Sequence, residues 1–434
     1  MNSERTGDGP PAGDDPPAGD DPPTADDIVT VADVEAARER LDEVVHRTPL
    51  DRSTTFAERS GAASVGLKLE NMQRTGSFKS RGAYNTMAQL PPAERERGVI
   101  ASSAGNHAQG VAFAGGLLDI DTTIVVPEVT PSSKIEATRG YGADVVVEGD
   151  IYERSYEHAL SLADEKELTF VHPFDDEAII AGQGTVGLEL LEQYPELDTV
   201  LVSIGGGGLI SGIATVLKAH DPDIRVVGVQ PEGAFHAKPS LERDEIHELP
   251  DVDTVAEGIA DTRLLEKTFA VVRERVDDVV SVTDREMSVA VTLLAERAKT
   301  VVEAAGAAPL AALCSGAVDV ADEHVAVVVS GGNVNLAEHA ELTRTGRMEL
   351  GRYAEANLSV ADWPSGLETL TDTVDNHGAE LEELERTRRT NADEPNRTPV
   401  KIGVAGSGPK QLSSLLVALD HRDGIAVVND SLDG

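Results

Sequence analysis

The chain has 434 residues, 40% of them apolar, and a formal charge of −40 from 37 basic and 77 acidic side chains. Its length suggests two or three domains and its apolar content excludes wholesale disorder, while the charge argues against nucleic acid, whose phosphates need clusters of Lys and Arg. A single cysteine, Cys314, excludes an intrachain disulfide and any cysteine-based zinc site, and no apolar run reaches membrane-spanning length.

The first 27 residues carry the repeat Pro-Pro-Ala-Gly-Asp-Asp. That composition predicts a disordered acidic tail, and it lacks the apolar stretch of a signal peptide, so the expected compartment is the cytoplasm. The acids are spread along the chain: residues 1–27 and 347–434 carry −7 each and residues 28–346 carry −26. A charge shared by every segment predicts a surface adapted to very salty cytosol, where self-repulsion is screened. Lysine is scarce, at 10 against 27 arginines.

Order is expected from Thr30, where Thr30-Val-Ala-Asp33 reads as a capping box before a helix running to about His46. Short β-branched runs follow at Val65–Leu69, Gly98–Ala101, Thr122–Val126, Val145–Val147, Leu168–Val171, Thr199–Val202, Arg225–Val229 and Val325–Val329. Helical patterns separate most of them, which predicts an α/β fold with doubly wound, mostly parallel sheets across residues 28–346. Beyond Gly346 the pattern becomes a strand at Arg352–Val360, a helix at Leu367–His377, and strands near Glu380–Thr387 and Pro399–Ala405 around a polar loop at Asn391–Arg397. A helix at Gln411–His421 and a strand at Ile425–Asn429 complete it. That order, β-α-β-β-α-β, predicts a ferredoxin-like α+β domain over 347–434.

Four loops carry chemistry. In Gly76-Ser-Phe-Lys79-Ser-Arg-Gly-Ala83 a Lys stands just before a helix, where the dipole disfavours a cation; desolvation there would depress its pKa and make an amine nucleophile. Ser102-Ser-Ala-Gly-Asn-His107-Ala-Gln-Gly110 joins a strand to a helix N-terminus, a setting that suits a carboxylate. Gly205-Gly-Gly-Gly-Leu-Ile-Ser-Gly212 lets the backbone wrap a phosphate, yet it matches neither the Walker A loop nor the dinucleotide fingerprint. Val329-Ser-Gly-Gly-Asn333 ends the last core strand and adds polar contacts. An amine, a carboxylate cradle, a phosphate cradle and a polar contact together suit pyridoxal 5'-phosphate with an amino acid.

On these motifs the stretch from about Asp33 to Asn333 resembles the fold-type II pyridoxal-phosphate enzymes, and within them the threonine dehydratase (threonine ammonia-lyase) family. Val255-Ala-Glu-Gly-Ile-Ala260 and Gly182-Gln-Gly-Thr185 also match family segments. The resemblance implies that Lys79 forms the Schiff base and later removes the Cα proton. Asn106 would bond the ring hydroxyl, with Phe78 packed near the ring. The backbone of Gly205, Gly206, Gly207, Gly208 and Leu209 would hold the phosphate, and Ser330 would meet the ring nitrogen. Ser103, Ala104, Gly105, Asn106 and His107 would hold the substrate carboxylate. The implied reaction takes L-threonine to 2-oxobutanoate and ammonia, with L-serine to pyruvate as a side activity, in a homo-oligomer, dimer or tetramer.

Serine racemase resembles the chain almost as well, but it carries a second Ser, acting as acid and base on the opposite face, where Ala104 stands here. The C-terminal order resembles ACT regulatory domains, with Asp362-Trp-Pro-Ser-Gly366 as the first turn. Asp362, Pro364, Gly366 and Leu367 would then meet an effector, isoleucine or valine, in feedback on isoleucine biosynthesis; a purely assembling domain and a non-catalytic amino-acid sensor are the alternatives. His172-Pro173 lines the site at most, and Cys314 reads as core. Glu232 leaves cation dependence open, and no metal site is assigned.

Overall fold

The computed structural model describes residues 23–386 and 396–432. Most of the Pro/Gly/Asp repeat and most of the polar loop at 391–397 lie outside the described residues. Order begins earlier than expected. Thr24 caps a one-turn helix, Ala25–Ile28, whose Ala25 and Ile28 are buried and whose Asp26 pairs with Arg275. The Thr30 capping box is present, but its helix, Val31–Leu41, ends before His46.

Two parallel sheets form the core. A six-stranded sheet places Leu50–Arg52, Ser64–Leu69, His324–Val329, Thr199–Ser203, Arg225–Pro231 and Asp278–Val282 side by side. All neighbours run parallel except the first pair. Its central strands are almost wholly buried, as parallel strands covered by helices on both faces must be. A smaller sheet orders Asp144–Val147, Thr122–Val126, Val99–Ser102 and Thr169–Phe170, all parallel. It is a continuous insertion in the chain between the second strand of the large sheet and Thr199. The short outer strands Leu50–Arg52 and Asp278–Val282 escape the sequence reading, because three residues, or five beginning on an acid, make no distinct pattern.

The C-terminal unit is the expected β-α-β-β-α-β, with antiparallel sheet order Glu380–Arg386, Arg397–Ala405, Tyr353–Ala361 and Ile425–Asp430. Helices Gly366–Asn376 and Pro409–Asp420 bury Leu370, Val374, Leu412, Leu415, Leu416 and Leu419 against one face. The helix Leu336–Glu349 runs across the expected boundary at 346/347, because its inner side packs on Asp284–Leu293. Arg347–Glu382 and Arg352–Glu296, at 2.6 Å each, clip the unit to the core.

Candidate active site

All four loops lie at the carboxyl ends of parallel strands, where open α/β sheets bind ligands, and they meet between the two sheets. Lys79 opens the helix Lys79–Met87. The loop before it turns through Thr75 (φ 61°) and Gly76 (φ 75°). A Cβ on Gly76 would fall 2.5 Å from the Asn333 amide oxygen, so glycine is required there. Distant sequence holds this loop: Phe78 N–H donates to the Ser330 carbonyl (3.2 Å), and Gly332 N–H to that of Gly76 (2.9 Å). Two residues beyond Lys79, the buried Arg81 guanidinium binds Glu70 (2.8 Å) and Glu189 (2.7 Å).

Lys79 Nζ donates to the Pro173 carbonyl at 2.7 Å and stands 5.3 Å from the Phe78 ring centre. Burial pulls its ammonium down to about 8, against the attraction of Asp261 and Glu303. Those two carboxyls are in turn pushed up by burial, Glu303 to about 7. The Asn106 amide donates to Glu303 (2.7 Å) and accepts from Asn333 (2.7 Å). One N–H of Asn106 is thus used by Glu303 and the second remains for the cavity.

The glycine loop runs from the strand Thr199–Ser203 into the helix Gly208–His220, with Gly207 at φ 89°. The first N–H groups of a helix have no partner within it, and its dipole favours an anion there. A Cβ on Gly206 would fall 2.3 Å from the Phe174 ring. Lys79, Phe78, Asn106, the loop Gly205–Leu209 and Ser330 line one cavity between the two lobes.

The expected carboxylate segment is only partly in that wall. Asn106 lines the cavity, whereas Ser103, Ala104, Gly105 and His107 do not. Ser103 Oγ accepts from Gly105 N–H (3.2 Å), and Ala104 packs against the small lobe's core. The His107 ring turns away onto the Val171 carbonyl (2.9 Å), and burial and Lys79 hold it down to about 3. Its side chain is therefore a neutral structural donor rather than a carboxylate ligand. The sequence reading also missed Glu303, Asp261 and Phe174. The first is one acid among 77; the others adjoin matched or noted segments, Val255–Ala260 and His172-Pro173.

The C-terminal first turn places Asp362 and Pro364 exposed and Gly366 and Leu367 half-buried. The groove in this unit opens elsewhere, along Asn357, Ser359, Arg397 and Val428 of the sheet. Among the described residues no cluster of His, Cys, Asp and Glu could hold a metal ion, and no helix is long and apolar enough to cross a membrane.

Residues 41–331 match the family model described as pyridoxal-phosphate dependent enzyme. The chain belongs to this family. Its curated relatives include an L-threonine ammonia-lyase of Thermotoga maritima, 43% identical over 80% of this chain and 86% of that protein. An L-threonine ammonia-lyase of Geobacter sulfurreducens is 39% identical over 92% and 98%. Among solved structures, threonine deaminase isoform 2 of Solanum lycopersicum superposes with a TM-score of 0.70 at 36% identity, covering 73% of this chain and 92% of that one. Maize serine racemase gives 0.70 and 36%, with 72% and 96% covered. The fold is thus the fold-type II architecture of pyridoxal-phosphate enzymes. The cavity fits that cofactor: it offers one amine of lowered pKa, a helix N-terminus ringed by glycines, an amide with a spare N–H, and the neutral Ser330.

Proposed function

We propose that the chain is a threonine ammonia-lyase: water leaves L-threonine, and the enamine so formed takes water back on hydrolysis to give 2-oxobutanoate and ammonia. Bound cofactor supplies the electron sink that makes the substrate's Cα proton acidic. The chain does the rest. Lys79 would hold the cofactor, and its Nζ takes the Cα proton; a pKa near 8 keeps a usable fraction of amine at neutral pH. The first turn of Gly208–His220 holds the phosphate. Asn106, oriented by Glu303 and Asn333, holds the ring oxygen. Ser330, in the cavity wall, would offer the ring nitrogen a neutral hydrogen-bonding partner. The N-terminus of the helix Asn106–Leu118, which brings Asn106 into the cavity wall, receives the substrate carboxylate. Phe78 and Phe174 wall the cavity from water.

The single observation that carries this reading is the convergence of Lys79, Asn106, the glycine loop and Ser330 on one cavity. L-Serine differs from threonine by one methyl, worth roughly 10–200-fold, so serine dehydration accompanies it. Ala104 has no proton to give, so racemisation is minor. We also assign residues 28–346 to catalysis and 347–434 to an ACT-type unit answering isoleucine or valine, in a cytoplasmic homo-oligomer adapted to high salt. The test is a keto-acid assay with L-Thr, L-Ser and D-Ser, with and without isoleucine, in strong salt. Lys79→Ala should abolish turnover and the covalent cofactor absorbance. Full activity in that variant, or abundant D-serine from L-serine, would overturn the assignment, and indifference to isoleucine and valine would remove the feedback role.

A further inference from the structure

The turn His172–Asp175 carries the chain from the small lobe back to the large one. His172 Nδ1 accepts two main-chain N–H groups, from Phe174 (3.2 Å) and Asp175 (2.8 Å). Its ring meets the Phe174 ring edge-on, with centres 4.8 Å apart. Both ends of the turn are pinned. Before it, the Val171 carbonyl meets His107; after it, Asp175 accepts from Thr268 N–H (2.9 Å), and Asp176 caps the helix Glu177–Gln193. Two products of this turn reach the active site: the Pro173 carbonyl at Lys79 Nζ, and the Phe174 ring against the Gly206 backbone.

We propose that His172 is a positioning residue, a neutral imidazole whose Nδ1 fixes this turn so that Pro173 meets Lys79 and Phe174 supports the glycine loop. It touches neither amine nor glycines itself, and it is absent from the cavity wall. Only an acceptor does this work: a proton on Nδ1 would confront two N–H donors. The surroundings keep that proton off. Burial, Lys79 and Lys267 hold the imidazole down to about 4. His107, itself held neutral, lies nearby, and the Tyr156 ring stands 6.5 Å away. Asp175, on the turn itself, offers its carboxylate to Thr268.

The inference rests on Lys79 being the site's amine. Its test uses the full chain with three variants. Asn places Oδ1 where Nδ1 stands, Gln places its acceptor one bond further out, and Ala has none. The first readout is the pH midpoint of Lys79 arylation in cofactor-free protein, followed by peptide mapping. The second is kcat and KM of the loaded enzyme. His172→Ala should lower the midpoint from about 8 by about one unit, because the ammonium loses a carbonyl acceptor. It should cut kcat roughly 10–100-fold through misplacement, with KM changing less. His172→Asn should restore both, and His172→Gln should resemble Ala. An Ala variant with wild-type midpoint and turnover, or an Asn variant no better than Gln, overturns the proposal. If the Ala chain does not fold, the Asn and Gln pair decides alone. Covalent cofactor absorbance surviving in Lys79→Ala would instead strike the reading of Lys79.

Discussion

Lys79 stands between a dry wall that removes its proton and two carboxyls that hold it there. Glu303 is the more informative of the two, since it also orients Asn106. Glu303→Gln keeps an acceptor for Asn106 but removes the charge. Its expected outcome is near-normal cofactor binding, loss of the limb near pH 7 in kcat/KM, and a Lys79 midpoint below the wild type's. A variant with an unchanged pH profile would show that Glu303 does not govern the site's titration. The same dry interior makes an acid weakness. His107, held to about 3, and His172 and His236, to about 4, stay neutral in the fold but charge in the unfolded chain near 6.5. Below pH 6.5 the unfolded state therefore binds more protons, and stability falls until about pH 4. Glu303, raised to about 7, acts oppositely by one proton. Asp261, also raised by burial, offsets the histidines further, so the net slope near pH 5.5 is roughly 1–3 kcal/mol per pH unit. Denaturant melts of cofactor-free protein should show it, and a flat midpoint from pH 7 to 5 would contradict it. At this scale the motif residues Lys79, Asn106 and Ser330 were legible, because small or polar neighbours at strand ends set them apart. Glu303 and His172 were not, since their roles depend on partners 197 and two or three residues away that no local pattern marks.

The glycine loop shows how an element specifies a site without side chains. Gly206 faces the Phe174 ring at a distance no Cβ can share. Gly206→Ala must move the ring or the loop, a strain of about 1–3 kcal/mol. Taken from cofactor binding, that is a loss of roughly 5–150-fold in affinity. Titration of cofactor-free protein by absorbance measures it, with a thermal melt to show the fold intact; wild-type affinity would mean that the loop does not set the cradle. Elements with a strong period were legible in the sequence, such as Thr122–Val126, found with its expected bounds. The edge strand Leu50–Arg52 was not, since a partner, Ser64–Leu69, makes it a strand rather than its own residues.

At the scale of the whole molecule, the surface charge and the buried ion pairs answer differently to salt. The described surface ion pairs are mostly exposed and weak, whereas the cluster of Lys68, Glu70, Arg81 and Glu189 is buried beneath the helix that begins at Lys79. Salt should therefore act on the −40 surface and leave the cluster alone. Dialysis from about 1 M to about 0.1 M salt lengthens the Debye length from about 3 to about 10 Å. Helical signal and activity should fall together and return when salt is restored. Both unchanged at low salt would sink the adaptation. The overall α/β and ferredoxin-like plan was legible. The helix Leu336–Glu349 was not legible as a bridge, because its packing on Asp284–Leu293 is a long-range fact.

The strand His324–Val329 sits in the middle of the large sheet, between Ser64–Leu69 and Thr199–Ser203, yet it is the last of that sheet to be made. At about 5–20 residues per second, a ribosome takes roughly 13–50 s to travel from Leu69 to Val329. Through that interval Ser64–Leu69 waits beside a missing neighbour, joined from about halfway by Thr199–Ser203, with their edges unpaired. The nascent chain is then a client for chaperones, and it completes its large sheet in the same step that delivers Ser330 to the site.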